Sequence, residues 1–456
     1  MQESTFSTQP DDKITNGSIS RSIFSLAVPV VLAMFMQFAL SSTDYYWVGR
    51  LGPTAQDAVT SSMVITWTVY ALMTIISVGI TALVARYVGA RDYNKVTYYI
   101  KQGIAMAVVL SLFFGAAGYL LTPSILNFMD TSPATHVLAS PYLRIFFASA
   151  LFFFGQDLVY AIFRASGDTR TPTLVGIGGV LLNAALDPLL IFGLGPIPAL
   201  GVAGASLATS ISVTAGAAVI TILLMKGKLG YPVDKPFSIT PHLNSMIKIA
   251  RIGMPIASQQ FIFVVVYWFL IKVVHVYGEA AAAAMGIGNR MESFSYLTCY
   301  GFSVAASTMV GQNLGAKKPD RAARCAWGAV GIAVAITFVI SVIFIIFPRQ
   351  IAAVFTDHSE VLGIAIDYLI ILGISQMAMA LEIVLEGAFG GAGDTLPPTL
   401  VMIPLSLARV PLAYYLAFHL DWGINGVWWT LTFTSVAKGI ILAFVFKLGR
   451  WKTKEV

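Results

Sequence analysis

The sequence repeats itself at one constant offset, and the repeated positions are those that punctuate long apolar stretches. Pro29 recurs as Pro255, an offset of 226 (255 − 29), and the same offset relates Gly89 of VGAR to Gly315 of LGAK and Gly167-Asp168-Thr169 to Gly393-Asp394-Thr395. One register held over most of the length means duplication, so the fold of the first half constrains the fold of the second. Near the end the offset drops to 222, where Gly201-Val202-Ala203-Gly204 matches Gly423-Ile424-Asn425-Gly426. The four missing residues belong to the loop just before, GLGPIPAL in one copy and HLDW in the other.

The medium follows from composition. Of 456 residues, 57% are hydrophobic and 11% charged, whereas a soluble domain carries about 25% charged residues. Crossing about 30 Å of hydrocarbon takes roughly 20 apolar residues per helix. Twelve such segments are predicted, over 22–48, 55–82, 96–121, 138–163, 171–193, 200–226, 244–274, 281–308, 322–347, 361–389, 397–419 and 424–447. The expected fold is therefore all-α and polytopic, with twelve transmembrane helices in two six-helix lobes. Two helical copies in a bilayer commonly enclose a pathway, and internal symmetry of this kind marks transporters.

Lys and Arg number 28 against 22 Asp and Glu, a formal charge of +6. The bases gather in alternate loops: Arg86, Arg91, Lys95 and Lys101; Arg164 and Arg170; Lys226, Lys228, Lys235, Lys248 and Arg251; Lys317, Lys318, Arg321 and Arg324; and Lys447 to Lys454. The loops between them are poor in base, GLGPIPALG having none. By the positive-inside rule both termini are expected in the cytoplasm, and bases confined to short loops give no reason to expect a nucleic-acid partner. Six spans per copy leave both copies in the same orientation, as parallel repeats.

This gives a flexible cytoplasmic N-terminus over 1–20, without the pattern of a cleaved signal, and an N-lobe over 21–228. A cytoplasmic linker over 229–243, a C-lobe over 244–448 and a cytoplasmic tail over 449–456 follow. Cys299 and Cys325 are the only cysteines, which supports no disulfide framework.

The copies agree in their turns and disagree in their buried polar groups. Adding the offset to Asp44, Asn183 and Asp187 gives Leu270, Arg409 and Ala413. Asp44 lies deep in the first span, where an ionised carboxylate costs roughly 2.5–3.5 kcal/mol and normally faces a partner or a water-filled cavity. The alternative is a place in the outer aromatic belt beside Tyr45, Tyr46 and Trp47. Asn183 and Asp187, four residues apart, share one helix face. Oxygen ligands suit a hard cation such as Na⁺, whereas a desolvated carboxylate beside a like charge can carry a proton instead, so the group serves either ion. Thr209 in the sixth span is a candidate further ligand, although membrane Ser and Thr mostly bond their own backbone.

Other polar residues fall within spans. Gln37, Tyr45, Met34, Gln156 and Asp157 are candidate lining of a substrate pocket, and flexible Met and aromatic walls suit a promiscuous apolar site. Glu382, Glu386 and Arg409 form a candidate polar network in the C-lobe, with Arg409 the expected partner of either glutamate. Pro29 and Pro255 each remove a helical hydrogen bond and permit a bend; bending at Pro29 is expected to open and close the first-lobe cavity. There is no Walker loop, no HExxH and no Ser-His-Asp arrangement, so an enzyme is not expected and energy should come from an ion gradient.

The phrases ALSSTDYYWVGRLG, FRASGDTRTPT, LLNAALDPLLIFGLG followed by GVAGASLATSIS, and GFSVAASTMVGQNLGAKKPDRA resemble the multidrug and toxic compound extrusion (MATE) family over nearly the full chain. The resemblance implies two six-helix lobes, alternating access, and export of cationic amphiphilic drugs across the cell membrane in exchange for H⁺ or Na⁺, with no other cofactor. A monomer is expected. The chain is more similar to the DinF-like and archaeal branch, whose coupling site matches Asp44, Asn183 and Asp187, with Thr209 as the matching threonine. The NorM-like branch uses a seventh-helix glutamate where this chain has Phe263, which argues against a second-lobe cation site.

In the implied antiport, Asp44 and Asp187 take up the ion and displace a bound drug. A pH unit supplies about 1.4 kcal/mol per proton and 100 mV about 2.3 kcal/mol per charge. The rival readings are a lipid-linked oligosaccharide flippase of the same superfamily and a non-transporting receptor.

Overall fold

A computed structural model describes residues 13–456 apart from 194, 197, 234, 235 and 239, and the side chains of 40–42 also lie outside the description. Of the N-terminus expected to be flexible over 1–20, residues 1–12 fall outside the described residues, as does Lys235 of the linker, whereas 13–20 hold a short helix at Lys13–Asn16 and the start of the next at Ile19.

Every described regular element is helical. A short α1 (Lys13–Asn16) precedes the first copy, which comprises α2 (Ile19–Gly49), α3 (Pro53–Gly89), α4 (Tyr93–Phe128), α5 (Pro133–Ala148), α6 (Ala150–Ala165), α7 (Arg170–Phe192) and α8 (Val202–Met225). The second copy comprises α9 (Leu243–His275), α10 (Glu279–Gly315), α11 (Pro319–Ile346), α12 (Pro348–Ala353), α13 (Ser359–Ala392), α14 (Leu396–Leu407), α15 (Arg409–Tyr414), a π-helical turn at Tyr415–His419, and α16 (Ile424–Lys447).

Ten described helices, with Leu396–His419 (α14, α15 and the π-helical turn) taken as one, are long and apolar enough to cross a bilayer, and α5 with α6, bent by 52° at their junction, makes an eleventh if taken as one span. The remaining long element is α10, at 37 residues. Its length is sufficient, but Asn289, Arg290 and Glu292 interrupt its apolar run. Large apolar side chains such as Leu120, Phe128 and Leu400 are open at the surface, as suits helices whose surroundings are lipid and whose backbone groups are satisfied internally.

The duplication is written into the backbone. Helices α3 and α10 begin and end at the repeat offset (Pro53 and Glu279, Gly89 and Gly315), and the turns that follow them place Arg91 and Lys317 at the same positive φ of 58°. Gly52 (φ 108°) and Gly278 (φ 92°) precede these two helices, and Gly167 (φ 96°) and Gly393 (φ 74°) end the fourth span of each copy. A residue with Cβ is disfavoured in that region, so turn geometry preserves the repeat where side-chain chemistry has diverged.

The compact units are not the two copies as they run in sequence. Unit 1 contains Leu32–Gly253 and unit 2 contains Lys13–Val31 with Met254–Val456. The first helix of each copy thus changes unit, α2 after Val31 and α9 after Gly253, within two residues of Pro29 and Pro255. The grouping differs from lobes divided at the 229–243 linker because the opening turns of each first helix pack against the second helix of the other copy.

Close approaches show how. In unit 1 a Cβ on Gly253 would stand 2.0 Å from the carbonyl oxygen of Ile75. In unit 2 a Cβ on Gly301 would stand 3.0 Å from the carbonyl oxygen of Ala27 and closer still to the Val31 side chain. Ala27 and Ile75 are the repeat equivalents of Gly253 and Gly301, so one packing motif occurs twice with the glycine on opposite helices. In unit 2, Ile14, Ile23, Leu26 and Ala27 join a core with Phe302, Met309, Leu385, Phe389 and Trp451.

Candidate functional site

In unit 1, Asp44 on α2, Asn183 and Asp187 on α7, and Thr209 on α8 come together. Helices α7 and α8 pack along their length, and the four-residue spacing of Asn183 and Asp187 turns both toward that seam. The Asn183 amide donates to Asp187 Oδ1 at 3.2 Å and to Thr209 Oγ1 at 3.5 Å, while the Thr209 hydroxyl donates to the carbonyl of Ala205 at 3.1 Å. Asp187 is fully buried.

The carboxyl groups of Asp44 and Asp187 lie within hydrogen-bonding reach of one another. Two carboxylates have no proton to share, so that contact becomes a bond only when one of them holds a proton. Asp44 Oδ1 and Asp187 Oδ2 are buried with no hydrogen-bond partner. Unpaired buried oxygens are costly, and a proton or a small cation between the two carboxyl groups would satisfy them. Pro188 follows directly and lies inside α7; lacking an N–H, it leaves the carbonyl of Ala184 without its helical donor.

The sequence reading missed Tyr142. Its side chain is within electrostatic range of both Asp44 and Asp187, and its carbonyl accepts a 2.7 Å hydrogen bond from Ser206, three residues before Thr209. No motif points to Tyr142; only the packing of α5 on α8 brings it there.

The candidate pocket residues are placed differently. Met34 is half-buried, while Gln37 and Tyr45 are exposed. The Gln156 amide donates to the carbonyl of Val213 at 3.4 Å, and Asp157 Oδ1 lies 3.7 Å from Arg164 Nη2. Among the described residues, none of these five hydrogen-bonds to Asp44, Asn183 or Asp187.

Unit 2 holds a second polar cluster of another kind. Glu382 and Glu386 are one helical turn apart on α13, and Glu382 Oε1 lies 3.4 Å from Lys438 Nζ on α16. Arg409, at the head of α15, does not pair with Glu382: its Nε donates to Thr434 Oγ1 at 2.9 Å and its Nη2 to Ser435 Oγ at 3.0 Å. The reason is packing, since α13 lies against α16 and brings Lys438 to Glu382, while α15 lies against α16 further along. Glu292 on α10 is in electrostatic range of Arg409 and Glu382. The sequence reading missed Glu292 and Lys438, although the same comparison of copies sets them against the uncharged Thr66 and Gly216. Phe263 on α9 is exposed and stacks on Tyr267 at 5.9 Å.

Comparison with known proteins bears on the family and the fold. The MatE family model matches residues 29–189 and 255–415, two stretches related at both ends by the repeat offset. The chain is 26% identical over 439 residues to the probable multidrug resistance protein NorM of Thermotoga maritima, covering 96% of this chain and 94% of that one. It is 25% identical over 448 residues to the probable multidrug resistance protein YoeA of Bacillus subtilis, covering 97% and 96%. Its fold matches a crystal structure of MATE in the straight conformation with a TM-score of 0.89 at 23% identity, covering 98% of this chain and all of the other. It matches a MOP superfamily transporter from Pyrococcus furiosus equally well. A duplicated, all-helical membrane protein whose two copies each match the family model is a member of the MatE, or multidrug and toxic compound extrusion, family.

Proposed function

We propose that this protein is a secondary active multidrug exporter of the cell membrane, exchanging cationic amphiphilic compounds for H⁺ or Na⁺ by alternating access. Family membership and relatives named as multidrug resistance proteins support export, and the unit 1 site supports antiport. The observation that carries the coupling is the facing pair Asp44 and Asp187, each with an orphaned buried oxygen.

Two adjacent carboxylates, desolvated between helices, form a site whose charge is settled by what binds there. A proton bridges the pair, whereas Na⁺ would take oxygens from Asp44, Asp187, Asn183 and Thr209, the oxygen-only set a hard cation accepts. Occupancy removes the repulsion between the carboxyl groups and lets α2 and α7 approach; release restores negative charge for a cationic drug. Pro29, beside the point where α2 changes unit, is the bend that converts this into opening and closing. A Pro29→Ala protein should lose most transport, and one that transports like wild type would remove the bend from the mechanism. Both termini lie in the cytoplasm, and the monomer is the working unit.

The deciding experiment is efflux of a fluorescent lipophilic cation from inverted proteoliposomes, driven first by a pH gradient without Na⁺ and then by a Na⁺ gradient at fixed pH. Export under one gradient alone names the coupling ion. Export under neither favours the lipid-linked oligosaccharide flippase reading.

A further inference from the structure

One face of the first copy departs from its counterpart in a way the unit 1 coupling site does not use. On α5, His136, Ser140 and Arg144 follow one another at four-residue spacing and so share a helix face, with Tyr119 of α4 beside Arg144. Adding the repeat offset to His136, Ser140, Arg144 and Tyr119 gives Leu362, Ile366, Ile370 and Ile345. Four aliphatic positions of the second copy are thus four polar positions of the first.

These four residues, with Val137 and Ile145, line an open groove of about 540 Å³ in unit 1. Arg144 is exposed, and its guanidinium carbon lies 5.5 Å from the centre of the Tyr119 ring. Among the described residues, neither the guanidinium, the His136 ring nor the Ser140 and Tyr119 hydroxyls make a hydrogen bond or ion pair. No residue lining the groove is acidic. A guanidinium within a membrane span and without a counter-charge is expensive.

The groove opens toward one face of the membrane. Arg144 follows the start of α5 at Pro133 by about 16 Å of helix rise, and helical side chains lean back toward the N-terminal end, so Arg144 reaches toward the face at which α4 ends and α5 begins. Three spans, α2, α3 and α4, set that face opposite the N-terminus. Tyrosine is a residue of the boundary between hydrocarbon and headgroups, and a long basic side chain extends toward the same level.

We propose that this groove binds the headgroup of an anionic phospholipid from the leaflet opposite the N-terminus, its phosphate on Arg144 and an acyl chain along Val137 and Ile145. The guanidinium fork matches two phosphate oxygens, and the Ser140 and Tyr119 hydroxyls are free to meet the headgroup. Basic pockets between membrane helices take lipid headgroups in this manner. A zwitterionic lipid brings the same phosphate but adds an ammonium group, which Arg144 repels. The cationic compounds proposed above as cargo are repelled likewise, so the groove is no entry route for them.

The test is quenching of a bimane fluorophore on Val137→Cys by brominated lipids, in nanodiscs of mixed phosphatidylglycerol and phosphatidylcholine holding the full-length protein. Val137 is 70% exposed, whereas the native Cys299 and Cys325 are buried. Brominated phosphatidylglycerol should quench at lower mole fraction than brominated phosphatidylcholine. Arg144→Ile, which installs the second copy's residue, should raise the phosphatidylglycerol fraction for half-maximal quenching about tenfold, the scale of one charge-assisted hydrogen bond. Arg144→Lys keeps the charge without the fork and should raise it less.

The same fluorophore on Leu400→Cys, at the open surface of unit 2, should report no preference between the lipids in any variant. Equal quenching by the two lipids at Val137→Cys, an unchanged curve for Arg144→Ile, or the same preference at Leu400→Cys overturns the proposal. So does loss of phosphatidylglycerol quenching in inorganic phosphate but not in chloride of equal ionic strength, because the groove would then hold a free anion rather than a lipid.

Discussion

The fifth span of the first copy and its counterpart in the second begin at equivalent positions, Arg170 and Leu396, and then diverge. Helix α7 runs unbroken for 23 residues and carries Asn183 and Asp187. Its counterpart runs over Leu396–His419 as one span, with Ala408 keeping helical dihedrals between α14 and α15, and ends in a π-helical turn at Tyr415–His419. It places Arg409 where the first copy has Asn183 and Ala413 where it has Asp187. Unit 1 has gathered oxygen ligands with no neutralising base at hand among the described residues. Unit 2 has gathered both signs and fixed most of them. Duplication supplied two equivalent scaffolds, and the difference shows that the turns are constrained by backbone conformation while the polar interior is free to specialise.

The largest expected effect separates the two units by function. Asp44→Asn or Asp187→Asn should abolish gradient-driven export in proteoliposomes while leaving the thermal unfolding of the purified protein near wild type; full export by either variant removes that residue from coupling. On stability the order reverses. Lys438→Met leaves Glu382 buried and unpaired, and losing one partner of such a pair costs about 3–5 kcal/mol, so its unfolding midpoint in detergent should fall well below that of Asp44→Asn. Equal midpoints would mean that the unit 2 pair is no more structural than the unit 1 site.

The reciprocal glycines sharpen the comparison from the packing side. Gly253→Ala forces a methyl against the Ile75 carbonyl and Gly301→Ala forces one against Val31 and the Ala27 carbonyl, and overpacking of this kind costs about 1–3 kcal/mol. The two variants should lose similar stability, and a loss confined to one would break the symmetry of the motif. Smallest is Thr209→Val: its hydroxyl already bonds the Ala205 carbonyl, so export should slow by roughly fivefold at most, a hydrogen bond being worth about 1 kcal/mol.

Much of the fold is legible because punctuation leaves a sequence mark. Gly52, Gly167 and their equivalents sit where φ is positive, and few other residues replace glycine there. Asp44, Asn183 and Asp187 are legible because carboxylates within long apolar runs are conspicuous and a four-residue spacing defines a face. The bend at the α5–α6 junction is not, since Ser149 carries no breaker signal and its equivalent, Ser375, lies within the continuous α13. Nor is the pairing of Lys438 with Glu382, 56 residues apart, which depends on how α13 lies against α16. Tyr142 reads as one more aromatic in a membrane helix until α5 is set against α8.

The exchange of helix ends between the units bears on how such a protein can be made and unmade. A chain cut in the 229–243 linker would yield a first fragment still holding Ile23, Leu26 and Ala27, which the core of unit 2 requires, and a second fragment still holding Ile249 and Gly253, which pack in unit 1. Neither fragment contains a whole unit, although each contains a whole copy of the repeat. Cutting the linker would therefore divide the packing of both units between two polypeptides, and the repeat that is the unit of sequence is not the unit of folding.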